Sequence, residues 1–177
     1  MLISVKSLIR RKDQDMPLKL TIPDTEVGEF FPGICAKGEL HFDGQLKHLE
    51  NGFLKLDGTA VVGAEVPCDR CLTPCELLLS SEVDDYFVPE RNLDLWNESS
   101  YGREEDDFAL YTGDHVDVLD LLLKRLIAVV PTKVLCRLDC AGLCPQCGQD
   151  LNEQHCSCNV ETAEDEEHPF AKLEKLL

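Results

Sequence analysis

The chain has 177 residues, 44% of them hydrophobic, and sets 34 acids against 17 bases for a formal net charge of −17. That length and apolar share suffice for one core without covalent staples, and the acid surplus repels nucleic-acid phosphates except where bases gather. The one such gathering is near the start, at Lys6, Arg10, Arg11, Lys12 and Lys19; elsewhere the charge suits cationic protein partners and also serves solubility.

The first segment, "MLISVKSLIRRKDQD", places its bases after its short apolar run, the reverse of a secretory leader. No stretch approaches the ~18 uncharged apolar residues of a bilayer span, because Lys124 and Arg125 cut the longest candidate. The expectation is a cytoplasmic protein with no membrane partner. In that reducing setting, clustered cysteines are metal ligands or working thiols before they are disulfides.

In "GELHFDGQLKHL" the residues Leu40, Phe42 and Leu46 alternate with polar neighbours, the period of a half-buried strand. Asn51-Gly52 tolerates the positive φ of a tight turn, and "FLKLDGTAVVGAEV" continues as a second strand with Leu54, Leu56, Ala60 and Val62 on one face. The third strand, "ELLLSSEVDDYFV", sets Leu77, Leu79, Val83 and Phe87 opposite Glu76, Ser80, Glu82 and Asp84. Together they predict an antiparallel meander.

Residues 82 to 107 hold ten acids and two bases, and their second half predicts an exposed acidic loop. Leu119, Leu122, Leu123, Leu126 and Val130 then form a helical stripe that Asp117 caps and Pro131 stops, with Lys124 and Arg125 near its negative end. Beyond the cysteines, five acids between Glu161 and Glu167 predict a solvated linker, and Pro169 can open a last short helix. The expected fold class is α+β: an antiparallel β-meander core with a packed helix and a C-terminal zinc-binding module. The expected divisions are a core over 1–131 with an acidic loop near 89–107, a cysteine-rich module over 132–160, and an acidic linker with a short helix over 161–177.

Six of the ten cysteines fall in "CRLDCAGLCPQCGQDLNEQHCSC". Cys144-Pro-Gln-Cys147-Gly148 is a zinc-knuckle sequence, in which two thiolates three positions apart converge on one ion and the glycine lets backbone amides turn toward sulfur. Cys136 and Cys140 precede it and Cys156 and Cys158 follow, so six thiols compete for the four positions of one tetrahedral zinc site; spacing leaves open which two join Cys144 and Cys147. His155 reads as an exposed bystander. Four protein ligands would leave no open coordination position, which argues against zinc catalysis.

"VPCDRCLTPC" is a second constellation, with Cys68, Cys71 and Cys75 between two strands. A redox Cys-x-x-Cys sits at a helix N-terminus, and strands on both sides remove that activation. The readings are a pair of small thiols packed at a turn, or a half-site completed by the C-terminal cysteines. Cys35 reads as a buried small hydrophobe.

The order "VPCDRCLTP", "VDVLDLLLKRLIAVVPTKVLC", "CAGLCPQCGQDLNEQHCSC" and "HPFAKLEKLL" resembles the bacterial YceD-like family, the large ribosomal RNA subunit accumulation proteins, from about residue 35 to the end. The chain departs from the family at Cys75, where an apolar residue is usual, and at His168-Pro169-Phe170, which replaces Asp-Pro-Arg. The resemblance implies a non-enzymatic cytoplasmic factor that supports accumulation of the large-subunit (23S) ribosomal RNA, with a large-subunit ribosomal protein or ribosomal RNA precursor as partner and no small-molecule substrate. The net charge favours holding a basic ribosomal protein. The alternatives are a thiol redox protein using Cys68 and Cys71, or a zinc-ribbon module that binds nucleic acid.

Overall fold

The computed structural model describes residues 1–10, 15–99, 101 and 108–158. A seven-stranded sheet carries the molecule. Strand β1 (Leu2–Ser4) and helix α1 (Lys6–Arg10) lead into β2 (Met16–Ile22), the short helix α2 (Asp24–Val27), β3 (Glu29–Phe31) and β4 (Ile34–Ala36). The central strands are β5 (Leu40–His48), β6 (Leu54–Pro67) and β7 (Pro74–Pro89), each antiparallel to the next. β2 lies outside β5, while β4 takes the far end of the same β6 edge and brings β3 with it.

The meander forms for the reason its alternation gives. Leu40, Phe42, Leu46, Leu54, Leu56, Ala60, Val62, Leu79, Val83 and Phe87 are all buried in one cluster on one sheet face. Gly44 and Gly58 pair across β5 and β6 on that face. A Cβ on Gly44 would lie 2.2 Å from the Asp57 carbonyl oxygen and 2.7 Å from the Phe42 ring, so the ring fills the space that side chains would have taken. Asn51 and Gly52 adopt positive φ at the β5–β6 turn, as their types predict.

Helix α4 (Val118–Ala128) covers the core face with Leu119, Leu122 and Leu126, and Asp117 caps it by accepting from the Asp120 amide at 3.5 Å. Arg125 does more than sit at a negative helix end. Its Nε donates to Asp85 Oδ2 at 2.8 Å, and Asp85 is one of two buried polar or charged residues among those described. Lys124 is the surface base, 3.0 Å from Asp120 one turn back.

Three expectations change. The sheet is mixed, because β8 (Phe108–Tyr111) runs parallel to β7. The expected acidic loop is helical over its first half: a 3-10 turn at Glu90–Asn92 runs into α3 (Leu93–Glu98). The cause is Trp96, which is 0% exposed and packs at 5.2 Å on Phe53 and 5.0 Å on Tyr86, on the sheet face away from the main core. Burying one indole outweighs the polarity of its neighbours. Cys35 is exposed, since β4 turns Ile34 inward and its neighbour outward. Residues 102–107 and 159–177, with the two acidic runs and the expected last helix, lie outside the described residues, as does the 11–14 part of the basic patch. Strand β9 (His115–Asp117) pairs with β1 and runs straight into α4.

Candidate metal centre

The β6–β7 hairpin keeps register from Leu54↔Phe87 to Pro67↔Pro74, so residues 68 to 73 form a tip held far from the β5–β6 turn. At this tip the Leu72 amide donates to the Cys68 carbonyl and the Cys68 amide to the Thr73 carbonyl, both at 2.9 Å. Leu72 takes φ 62° to close the turn. Cys68 and Cys71 thereby face the same side.

The chain leaving α4 returns to that tip. The Asp69 amide donates to the Val134 carbonyl at 2.9 Å, and the Val134 amide donates to Asp69 Oδ2 at 2.6 Å. This two-way tie delivers Cys136 and Cys140. Cys68 Sγ lies 3.8 Å from Cys140 Sγ, and Cys71 Sγ lies 3.5 Å from Cys136 Sγ. All four sulfurs are within 4.8 Å of one another.

A second tetrad follows within residues 144–158. The Gly148 amide donates to the Cys144 carbonyl at 2.9 Å, the Cys144 amide to the Gln149 carbonyl at 2.8 Å, and Leu143 bridges Asp150, which makes a knuckle of residues 143–150. Cys144, Cys147, Cys156 and Cys158 again place four sulfurs within 4.8 Å. The six C-terminal thiols therefore do not compete for one site. Cys136 and Cys140 join Cys68 and Cys71, and the other four stand together. His155 is exposed and outside both groups, and Cys75 turns its Sγ to the Thr73 carbonyl at 3.5 Å.

A tetrahedral ion with metal–sulfur bonds of about 2.3 Å holds its sulfurs about 3.8 Å apart, so both tetrads have the donor set and spacing for one ion each. None of the ten cysteines is in a disulfide. The electrostatics show four thiols crowded in each group. Burial pushes the Cys68 thiol up, but the amides of Arg70, Cys136 and Cys71 outweigh it and leave the group lowered to about 6. Its counterpart Cys144 is also lowered to about 6, by the amides of Cys147 and Gln146 and then by the Cys156 thiol. Hydrogen bonding with Cys71 and then burial push Cys136 up to about 12, and Cys147 does the same to Cys158. One thiolate forms readily in each group, beside a thiol, Cys136 or Cys158, that holds its proton more tightly than an ordinary cysteine.

Sequence reasoning missed the residues that join the tetrads. Arg70, between Cys68 and Cys71, donates from Nη1 to the Cys140 carbonyl at 2.6 Å and accepts the Leu143 amide on its own carbonyl at 3.0 Å. Gly142 has φ 79° and lies so close to Arg70 that a Cβ would meet its carbonyl oxygen at 3.0 Å. Asn152 accepts from the Ala141 amide at 2.7 Å and donates to Cys140 Sγ at 3.4 Å. The presence of two Cys-x-x-Cys motifs, one in each tetrad, was the available signal for two sites, and nothing local marks the residues that join them.

The family model for the large ribosomal RNA subunit accumulation protein YceD matches residues 56–177, which takes in both tetrads and α4. The chain is also 28% identical over 113 residues to the uncharacterized protein Rv2926c of Mycobacterium tuberculosis and to the uncharacterized protein Mb2951c of Mycobacterium bovis. Each alignment covers 63% of this chain and 51% of the relative, so the chain spans about half the length of the curated relatives it matches. No solved structure gives a significant match. The hairpin thiols, the helix and the cysteine segment all fall inside the matched region, and the chain belongs to the YceD family of large ribosomal RNA subunit accumulation proteins.

Proposed function

We propose that the chain is a non-enzymatic, cytoplasmic factor that supports accumulation of large-subunit ribosomal RNA, and that it does so by holding a basic ribosomal protein. The family match over residues 56–177 carries this reading. Zinc bound by Cys144, Cys147, Cys156 and Cys158 would be structural, because four thiolates complete its coordination and leave no position for water or substrate.

Charge supports a protein partner. On the outward sheet face three acids are matched by lysines: Lys19 lies 2.8 Å from Asp43, Lys55 lies 3.0 Å from Asp57 and 2.8 Å from Asp84, and Lys47 lies 3.2 Å from Asp57. The arginines beside the thiols are engaged within the module, Arg70 with Cys140 and Arg137 with Asn152. Neither stands ready for phosphate. The runs Glu104–Asp107 and Glu161–Glu167 concentrate acid in the sequence and are the segments we assign to the basic partner. A thiol-exchange reading draws on the lowered Cys68, but that residue is 0% exposed, and an incoming disulfide needs a sulfur it can reach.

Affinity capture from cells at moderate salt, with and without ribonuclease, tests the reading. A basic large-subunit ribosomal protein should co-purify in both conditions. Capture of ribosomal RNA that survives replacement of both acidic runs by Ser and Gln, but is lost when Arg10, Arg11 and Lys12 are neutralised, would transfer the function to direct RNA contact.

A further inference from the structure

We propose that Cys68, Cys71, Cys136 and Cys140 hold a zinc ion of their own, so that the chain carries two zinc ions and this one welds the β6–β7 hairpin to the segment leaving α4. The inference does not depend on the ribosomal reading.

Three observations carry it. The ligands come from two places that the backbone has already brought together, through the Asp69–Val134 pair of hydrogen bonds, so the tetrad is not an accident of one flexible loop. Cys68, Cys71 and Cys140 are 0%, 6% and 1% exposed, and Cys75, Leu135 and Leu143 pack around them, so three of the four ligands are shielded from water and Cys136 closes the group from its exposed side. Thiols are weak hydrogen-bond donors, and four of them in such a place gain little from one another. A divalent ion would satisfy all four at the observed spacing of 3.5 and 3.8 Å between partner sulfurs. Finally, the surroundings are aimed at sulfur: Arg70 fixes the Cys140 carbonyl, and the Asn152 amide donates to Cys140 Sγ from the neighbouring knuckle.

Soft, all-sulfur, tetrahedral donors select zinc or iron among the common ions. Zinc fits a purely structural role, because it has no redox chemistry and no geometric preference to oppose the backbone. The same distances speak against disulfides, whose sulfurs sit at about 2.05 Å.

Metal analysis of the full chain purified without chelator should give two zinc ions per chain. Cys68→Ser with Cys71→Ser should give one, as should Cys144→Ser with Cys147→Ser, while Cys35→Ser and Cys75→Ser should each leave two. Should the first double variant fail to fold, alkylation of the native wild-type chain decides the matter. In the zinc-loaded protein the exposed Cys35 should label quickly and the eight ligands slowly, and chelation should expose the eight. One ion per chain with Cys68, Cys71, Cys136 and Cys140 labelled as fast as Cys35 would overturn the proposal. So would iron in place of zinc, or disulfides among these four in protein handled without oxidant.

Discussion

Asp85 lies on the core face of β7 and is 2% exposed, and Arg125 reaches it from α4 with two nitrogens. Removing one partner leaves an uncompensated buried charge, at a cost of about 3–5 kcal/mol. Arg125→Met should show that loss in denaturant unfolding, whereas Asp85→Leu with Arg125→Met should recover most of it. Equal stability of the single variant and wild type would show that the pair does not hold the helix to the sheet. Arg125 was legible in the sequence only as a base near a helix end, since its partner is 40 positions away. Asn152 makes the same point beside the cysteine tetrads: a polar residue in a polar loop gave no sign that it touches the Cys140 sulfur of the first tetrad. Its replacement by Leu should keep both ions yet weaken metal retention about 10-fold in a chelator competition, the usual scale for a group that orients a ligand. Loss of an ion would mean that Asn152 builds the site instead of tuning it.

Among the elements, β5, β6, β7 and α4 could be read directly because their apolar periods of two and 3.6 are local and long. Strand β2 also alternates, with Leu18 and Ile22 buried and Lys19 and Thr21 exposed, but the basic residues around it invited a reading by charge. Helix α3 was concealed by acid composition, and the parallel pairing of β8 follows from a crossover that no local pattern encodes. The knuckle at 143–150 was legible for the opposite reason, as its spacing sits inside one short segment. The first tetrad was legible only as one of two readings, a half-site to be completed by C-terminal cysteines, because its halves lie 65 and 72 positions apart and spacing does not say which cysteines complete it. Metal should therefore matter by element. Chelation should speed hydrogen exchange at 132–158 and at the hairpin tip 68–73, while the paired stretch of β5 and β6 stays protected. Opening of β5 together with the cysteine segment would contradict this. Acid should act in the same place. Cys68 and Cys144 sit at about 6, below the ordinary thiol value of 9.0, so the stabilisation their thiolates supply is in place above 9.0 and is lost as pH falls through about 6. Zinc retention should fall over that same range, as metal ligands must be deprotonated. Retention unchanged at pH 5 would show that other groups control uptake.

At the scale of the whole molecule, one sheet buries its core against α4, and the tip of its longest hairpin supplies two thiols of the first cysteine tetrad. A net charge of −17 surrounds this frame. Exposed charges are screened over about 8 Å at physiological ionic strength, so capture of a basic partner should weaken with rising salt, chiefly through slower association. Association rates indifferent to salt would remove the acidic runs from the mechanism. The central proposal is a role in large-subunit ribosomal RNA accumulation, and the most direct measurement is the ratio of large-subunit to small-subunit ribosomal RNA in cells from which the chain has been deleted. That ratio should fall, and return when the wild-type chain is supplied but not when the variant lacking both acidic runs is supplied. A ratio unchanged by the deletion would contradict the proposed function, whatever metal the cysteines hold.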